Sequence, residues 1–290
     1  MTINTPIRLG QLLLLVLLFL TGISVQAAPT DKPPFYRLQI NGSTTYLLGS
    51  IHVGKADMYP MASVIERKLE DADGIVLEVL LEQANMVDLV QRYGMGAQDI
   101  DRELLNKRQA FCKNYATQCA SIPYLKAWMQ ASVITMIRFG EQGLTPEYGV
   151  ETWVSANYPE HKRYQLESTE FQFQLFSGLS NELQQLMLQD ALEADEQELS
   201  ALVEVWRSGN EADFLELIED GFSNNRELMD AVLTERNYGM AAELSRLLDS
   251  NKQQKLVVIV GAAHLVGPES LPDIFKKRGA IVSSCWKVDC

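Results

Sequence analysis

The chain has 290 residues, of which 47% are hydrophobic and 22% are charged, a balance that can bury a sizeable core and excludes an intrinsically disordered protein. The formal net charge of -13 argues against nucleic acids, other anionic polymers and lipid headgroups as partners, because binding them needs clustered cations. The chain contains 3 histidines, so any imidazole chemistry must use His52, His161 or His264.

The N-terminus has the pattern of a secretory signal peptide. Arg8 precedes an apolar run from Leu12 to Leu20, and small residues follow up to Ala27. We expect residues 1–27 to be removed, which leaves an exported protein, periplasmic in a bacterium or secreted, with no stable membrane anchor. An uncleaved N-terminal anchor is the alternative.

Four cysteines suit an oxidising compartment. Of the three possible connectivities we favour Cys112–Cys119 with Cys285–Cys290, because both pairs are close in sequence. Seven residues along one helix separate Cα atoms by about 10.5 Å, which is too far for a disulfide. The first pair therefore requires the helix to break, and residues 114–117 are the expected break. A zinc site is disfavoured because the spacing is wrong.

The N-terminal part of the predicted domain is a hairpin followed by a helix and a strand, and the second strand of the hairpin begins a β-α-β unit. Phe35–Ile40 and Ser43–Leu48 alternate around Asn41-Gly42, which predicts a hairpin with a type I′ turn. Pro60 is expected at the start of a helix that ends near Asp73. The run Gly74–Leu80 then predicts a buried strand.

The C-terminal part repeats that order. Leu256–Val260 is a continuous apolar run, typical of a strand that is covered on both faces. Pro272 is expected to open a short helix that Gly279 caps, and Ala280–Ser283 begins another strand. A G-x-x-H sequence follows the strand that begins each unit, Gly49 to His52 after the second hairpin strand and Gly261 to His264 after Leu256–Val260. We therefore predict an α/β fold, with a mostly parallel sheet core built from two pseudo-symmetric β-α-β units. Chance similarity is the alternative.

The region between the two units is mainly helical. It forms a large helical insertion, roughly residues 81–250, in a single α/β domain of residues 28–290. The acidic run Glu193–Glu198 is expected on a solvated helix face, and Lys162–Glu167 is the one strand-like interruption. The predicted helices are Asp99–Tyr115, Pro123–Phe139, Glu147–Ala156, Glu182–Arg207 and Asn225–Asp249.

Polar side chains stand at the carboxyl ends of the predicted strands, where open α/β sheets bind their ligands. These are His52, Glu78, Glu167 and His264. Two imidazoles and a carboxylate are ligands for a divalent metal (Mn, Co or Zn), which we assign to His52, Glu78 and His264. Glu167 is then the general base or a further ligand. A hydrogen-bonding role in the turns is the alternative.

Two further residues are candidates for binding substrate. Arg236 and Asn237 interrupt an amphipathic helix, and we expect them to orient a substrate carbonyl, although a solvent face or an ion pair is the simpler explanation. His161 lies among charged residues and is expected at the surface.

The motifs at these positions resemble the TraB/GumN family. The resemblance covers nearly all of the mature chain and is carried by Tyr46–Gly54, Leu77-Glu78, Tyr148–Glu151, Gln165–Glu170, Glu235–Ala241 and Val260–Gly267. The family is similar to the Tiki metal-dependent proteases and more distantly to erythromycin esterases and a haem-binding, ChaN-like lipoprotein group. The resemblance implies an α/β fold with duplicated halves and an active site at the two G-x-x-H turns. The family often has Asp where this chain has Glu151, which keeps the charge but reaches one methylene further.

Three functional hypotheses follow. The first is a divalent-metal-dependent hydrolase, of the peptidase kind, that acts on a peptide or another small molecule. The second is a non-catalytic binder of haem, metal or peptide on the same fold. The third is a metal-free, esterase-like hydrolase in which His52 or His264 is the base.

Overall fold

A six-stranded sheet organises the part of the chain that the computed structural model describes, residues 30–222, 225–251 and 254–290. The predicted signal peptide lies outside these residues. The sheet order is β4-β3-β5-β2-β1-β6, where neighbours from β4 to β2 are parallel and β1 is antiparallel to both its neighbours. The predicted α/β fold with a mostly parallel sheet is confirmed. The strands are β1 (Phe35–Ile40), β2 (Ser43–Ser50), β3 (Gly74–Leu77), β4 (Lys162–Gln165), β5 (Leu256–Gly261) and β6 (Ile281–Ser284).

Helices cover the faces of the sheet and fill the region between β3 and β5. In chain order they are α1 (Ser63–Glu70), α2 (Met86–Leu89), α3 (Arg102–Cys112), α4 (Ala127–Glu141), α5 (Val150–Asn157), α6 (Thr169–Gly178), α7 (Asn181–Glu193), α8 (Glu196–Ser208), α9 (Glu211–Gly221), α10 (Arg226–Met229), α11 (Glu235–Ser250) and α12 (Leu271–Lys277).

The predicted hairpin forms between β1 and β2. Asn41 and Gly42 both have positive φ, 52° and 80°, which the type I′ turn requires at its two central residues. The turn pairs Ile40 with Ser43 and continues to Phe35 opposite Leu48. The strand β2 then leads into the first G-x-x-H turn.

The strand β5 lies between β2 and β3 and is covered on both faces. All five residues from Leu256 to Val260 are at most 1% exposed, as the continuous apolar run predicted. The register pairs Ser50 with Gly261 and Leu77 with Ile259. The three strands therefore end side by side, and the residues that follow them share one edge of the sheet.

The first β-α-β unit begins its helix later than expected. The helix α1 runs from Ser63 to Glu70, so Pro60 does not open it. Ala56–Met58 forms a short 3₁₀ turn, and Pro60 lies in the segment between that turn and α1. In the second unit, α12 contains Pro272 in its first turn, as predicted.

The predicted helix Glu182–Arg207 is two helices, α7 and α8. The Asp195 side chain accepts hydrogen bonds from the N–H groups of Gln197 and Glu198, and the Glu198 side chain caps Asp195 in return. Part of the acidic run is therefore a helix cap rather than a continuous solvated face. The helix α6 was not predicted, although Ser168 caps its first turn.

Both favoured disulfides are present. The Cα atoms are 5.7 Å apart in Cys112–Cys119 and 5.4 Å apart in Cys285–Cys290. The helix α3 ends at Cys112, so the chain turns between the first two cysteines as the distance argument required. Among the described helices, none is long and apolar enough to cross a membrane.

Candidate functional site

His52 lies on a loop after β2 that is fixed by backbone contacts with the loop before α5. Gly54 and Thr145 exchange two N–H···O hydrogen bonds of 3.0 Å, and the Val150 N–H donates to the Ile51 carbonyl at 3.0 Å. A Cβ on Gly149 would lie 2.3 Å from the His52 carbonyl oxygen, so the close approach requires glycine. The loop therefore presents His52 from a rigid position.

The His52 imidazole forms an ion pair with Glu151 in the first turn of α5. Its Nδ1 lies 3.0 Å from Oε1 of Glu151, and Ser50 donates its hydroxyl to the same oxygen. The negative charge of Glu151 raises the pKa of His52 to about 9. The His52 side chain is 68% exposed, so much of the ring faces solvent.

His264 lies in the equivalent turn after β5, Ala262–Leu265, and is 4% exposed. Its Nδ1 is 2.6 Å from Oδ1 of Asn237, and the Asn237 amide nitrogen donates to the Glu269 carbonyl at 3.0 Å. Because the amide oxygen only accepts, Nδ1 carries the proton and Nε2 keeps its lone pair. Burial lowers the pKa of His264 to about 4, so the ring is neutral at pH 7.

Glu78 and Glu167 follow the adjacent strands β3 and β4, and Arg236 on α11 joins their carboxylates. Arg236 Nε lies 3.1 Å from both oxygens of Glu167, and Nη2 donates to Glu167 at 2.7 Å and to Glu78. All three side chains are less than 10% exposed. Apolar residues of α11 pack against the sheet, with Met240 and Ala241 fully buried, and this places Arg236 at the strand ends.

Glu78 has a full set of donors. Gly261 donates its N–H to Oε2 at 3.1 Å, and Gln172 on α6 donates to Oε1 at 2.7 Å. Burial opposes the charged form, but the neighbouring imidazoles, the Arg236 guanidinium and the Gly261 N–H keep the pKa of Glu78 well below its usual range. Glu78 is therefore a carboxylate at neutral pH.

The donor chemistry next to His264 suits a divalent cation, but the described residues form only part of a metal site. His264 Nε2 and Glu78 Oε2 are 3.9 Å apart, and a neutral imidazole and a carboxylate are both metal ligands. In residues 30–222, 225–251 and 254–290, no group of three or more His, Cys, Asp or Glu side chains is arranged to hold a metal ion. Catalytic zinc sites keep three protein ligands, so this pair is one ligand short.

The sequence model of the TraB/PrgY/gumN family matches residues 34–284, a range that contains every residue of this site. The chain belongs to the TraB/PrgY/gumN family. Two curated relatives are both called "Uncharacterized protein YbaP". The one from Shigella flexneri is 25% identical over 239 residues, 80% of this chain and 88% of the relative, and the one from Escherichia coli K12 is 25% identical over 238 residues, with 80% and 87% covered. No solved structure gives a significant match.

In this TraB/PrgY/gumN protein, five of the six predicted site residues form one buried group. Arg236 pairs with Glu78 and Glu167, His264 bonds to Asn237, and His264 Nε2 lies 3.9 Å from Glu78, which brings the two sets together. His52 has no hydrogen bond or ion pair with these five described residues and pairs with Glu151 instead. Both polar atoms of the Asn237 side chain form hydrogen bonds within the protein, Oδ1 with His264 and Nδ2 with the Glu269 carbonyl.

Two residues that support the site were not predicted from the sequence. Ser50 precedes His52 by two residues and orients Glu151, and Gln172 donates to both Glu78 and Glu167, the second at 3.0 Å. The N-cap serine of α6 would have predicted the helix that carries Gln172, but nothing local indicates its partners. The third histidine, His161, contacts the Tyr158 ring, with ring centroids 5.6 Å apart.

Proposed function

We propose that this protein is an exported hydrolase of the peptidase kind that uses a divalent metal ion, Mn, Co or Zn. The observation that carries the proposal is the neutral, buried His264, whose free Nε2 lone pair lies 3.9 Å from the charged Glu78. When bound, such a metal would lower the pKa of a water molecule and polarise a substrate carbonyl.

His264 and Glu78 are the proposed ligands that the fold already places together. His52 is the proposed third, although in this structure it pairs with Glu151 and does not complete a three-ligand group among the described residues. Both histidines are held through Nδ1 by an oxygen acceptor, Asn237 in one case and Glu151 in the other. That arrangement is the usual support of a metal-binding histidine. Nε2 of the neutral His264 keeps its lone pair, whereas His52, whose pKa is raised to about 9, must first lose its Nε2 proton to bind a metal. Asn237 therefore acts in this proposal as a positioning residue.

Glu167 is the proposed general base or further ligand, and Arg236 is proposed to hold it in position. The guanidinium contacts both oxygens of Glu167 and neutralises part of the negative charge at the strand ends. Because the pair is less than 10% exposed, the Glu167 carboxylate has one orientation.

The proposed location outside the cytoplasm rests on the cysteines. All four are paired in two disulfides, which form and persist in oxidising compartments. The proposed substrate is a peptide or another small molecule with a scissile carbonyl.

Metal analysis of the purified chain after loading with Mn²⁺, Co²⁺ or Zn²⁺ tests the proposal. We expect bound metal in the wild type and a loss in His264→Ala and Glu78→Gln. His161→Ala is the matched control, because it removes the histidine that lies on Tyr158. Equal metal content in all four proteins would refute the metal site.

A metal-free hydrolase is the second candidate, favoured by the pair of His52 with Glu151. An exposed imidazole whose Nδ1 is held by a carboxylate is the arrangement of a general base or acid. Peptide hydrolysis that survives excess chelator and is lost in His52→Gln would select this candidate over the first.

A further inference from the structure

A pocket of about 560 Å³ lies between α1 and α5, outside the group that contains Glu78 and His264. Three aromatic side chains line it, Tyr59, Trp153 and Tyr158. Tyr59 and Trp153 are stacked with ring centroids 4.6 Å apart, and Tyr158 meets Trp153 edge-on at 5.9 Å. All three are half-buried, so the pocket has a wall of aromatic surface that remains open to ligand.

Two carboxylates, Glu66 and Glu70, also line the pocket, together with Pro60 and Asn157. They are one turn apart on α1, a spacing at which like charges repel. Within the described residues neither forms an ion pair, and Glu66 accepts one hydrogen bond, from the Met61 N–H at 3.1 Å. Among the described residues, no side-chain cation therefore lies within ion-pair distance of either carboxylate.

The burial and negative charge of the pocket also raise the pKa values of two lining residues. Burial and, to a lesser extent, the charge of Glu70 raise the pKa of Glu66. Burial, together with Glu66 and Glu70, raises the pKa of Tyr158 to about 12. The two carboxylates thus contribute to the raised pKa of Tyr158, and a cation in the pocket would offset the repulsion between Glu66 and Glu70.

We propose that this pocket binds an organic cation, an alkylammonium or guanidinium group such as the side chain of a lysine or arginine. Aromatic rings attract cations through their negative faces, and the carboxylates add direct ion pairs. The apolar stem of such a ligand packs on the rings, which a hydrated inorganic ion cannot do. The site goes beyond the proposed hydrolase activity and does not depend on it.

An NMR titration of the full chain tests the site through the indole N–H of Trp153, assigned with Trp153→Phe. The probes are Nα-acetyl-lysine amide, tetramethylammonium, and the neutral isostere Nα-acetyl-norleucine amide. We expect a saturable shift with lysine that weakens as salt rises, and little shift with norleucine. A response to tetramethylammonium as well would show that the aromatic faces suffice, whereas a response to lysine alone would show that the ammonium N–H groups are needed.

Variants separate a built site from general negative charge. Glu66→Gln/Glu70→Gln should weaken lysine binding by about tenfold, since hydrogen bonds to charged groups are the strong ones. Glu204→Gln/Glu219→Gln removes two charges from exposed positions of α8 and α9 and should bind as the wild type does. If the first double variant fails to fold, Glu70→Gln alone, on an exposed residue, should still weaken binding severalfold. Equal affinity in the two sets of variants, no saturable shift with either cation, or equal binding of norleucine would overturn the proposal.

Discussion

His264 donates its Nδ1 proton to the side-chain oxygen of Asn237 across 2.6 Å, although the two residues belong to different elements, the turn after β5 and the first turn of α11. The bond fixes one tautomer of a fully enclosed imidazole. It also ties the orientation of the ring to the position of α11, so the helix and the strand cannot shift independently without breaking it.

Asn237→Ala should therefore affect both stability and the histidine tautomer. The change leaves a buried N–H without an acceptor, and we expect the free energy of unfolding to fall by about 1–3 kcal/mol. Urea denaturation measures the loss, and ¹⁵N NMR of the imidazole should show a mixture of tautomers in place of one. Asn157→Ala, at an exposed asparagine, is the control and should change stability little. An unchanged tautomer in Asn237→Ala would contradict the assignment.

Arg236→Met should be among the most destabilising single changes in the site. Glu78 and Glu167 would remain buried without their shared cation, a loss of about 3–5 kcal/mol in other buried ion pairs. Adding Glu78→Gln and Glu167→Gln to the same chain removes the uncompensated charges and should recover much of the stability. Thermal and urea unfolding measure both effects, and a triple variant less stable than Arg236→Met would show that repulsion is not the cause.

The stability of the protein should fall in mild acid because of His264. Its folded pKa of about 4 is below the ordinary value of 6.5, so the unfolded state binds more protons between these values. The contribution is complete above pH 6.5 and is lost as the pH falls towards 4, by up to about 3 kcal/mol. Urea unfolding across this interval should show the slope, and His264→Gln should reduce it. A ring that titrates in NMR near its ordinary value would refute the prediction.

Gly149→Ala should displace the His52 loop. The new Cβ would meet backbone 2.3 Å away, which cannot move without breaking the hydrogen bonds that join the two loops. We expect a clear loss of stability and a fall in the pKa of His52 towards its ordinary value, as its contact with Glu151 is disturbed. Gly140→Ala is the matched control: this helical glycine has open space around it, so alanine should stabilise the protein by about 0.5–1 kcal/mol.

Local sequence patterns were sufficient to predict the strands and the turns that follow them. Asn41-Gly42 specifies its turn through backbone conformation alone, and the apolar run of β5 reports burial on both faces. The partners within the site could not be predicted in the same way. Arg236 and Glu78 are 158 residues apart in the sequence. From the sequence alone, the Asn237 side chain could equally have faced a substrate. These contacts depend on how α11 docks on the sheet, which no short window of sequence contains.

The order of the strands in space differs from their order along the chain, and this affects how the protein can be made. The strand β5 fills the slot between β2 and β3 but is among the last segments to be synthesised. Until residue 261 has emerged, β2 and β3 each present an unpaired edge, and such edges favour aggregation. A chain cut short before residue 256 should therefore accumulate as insoluble material and not as a smaller folded protein.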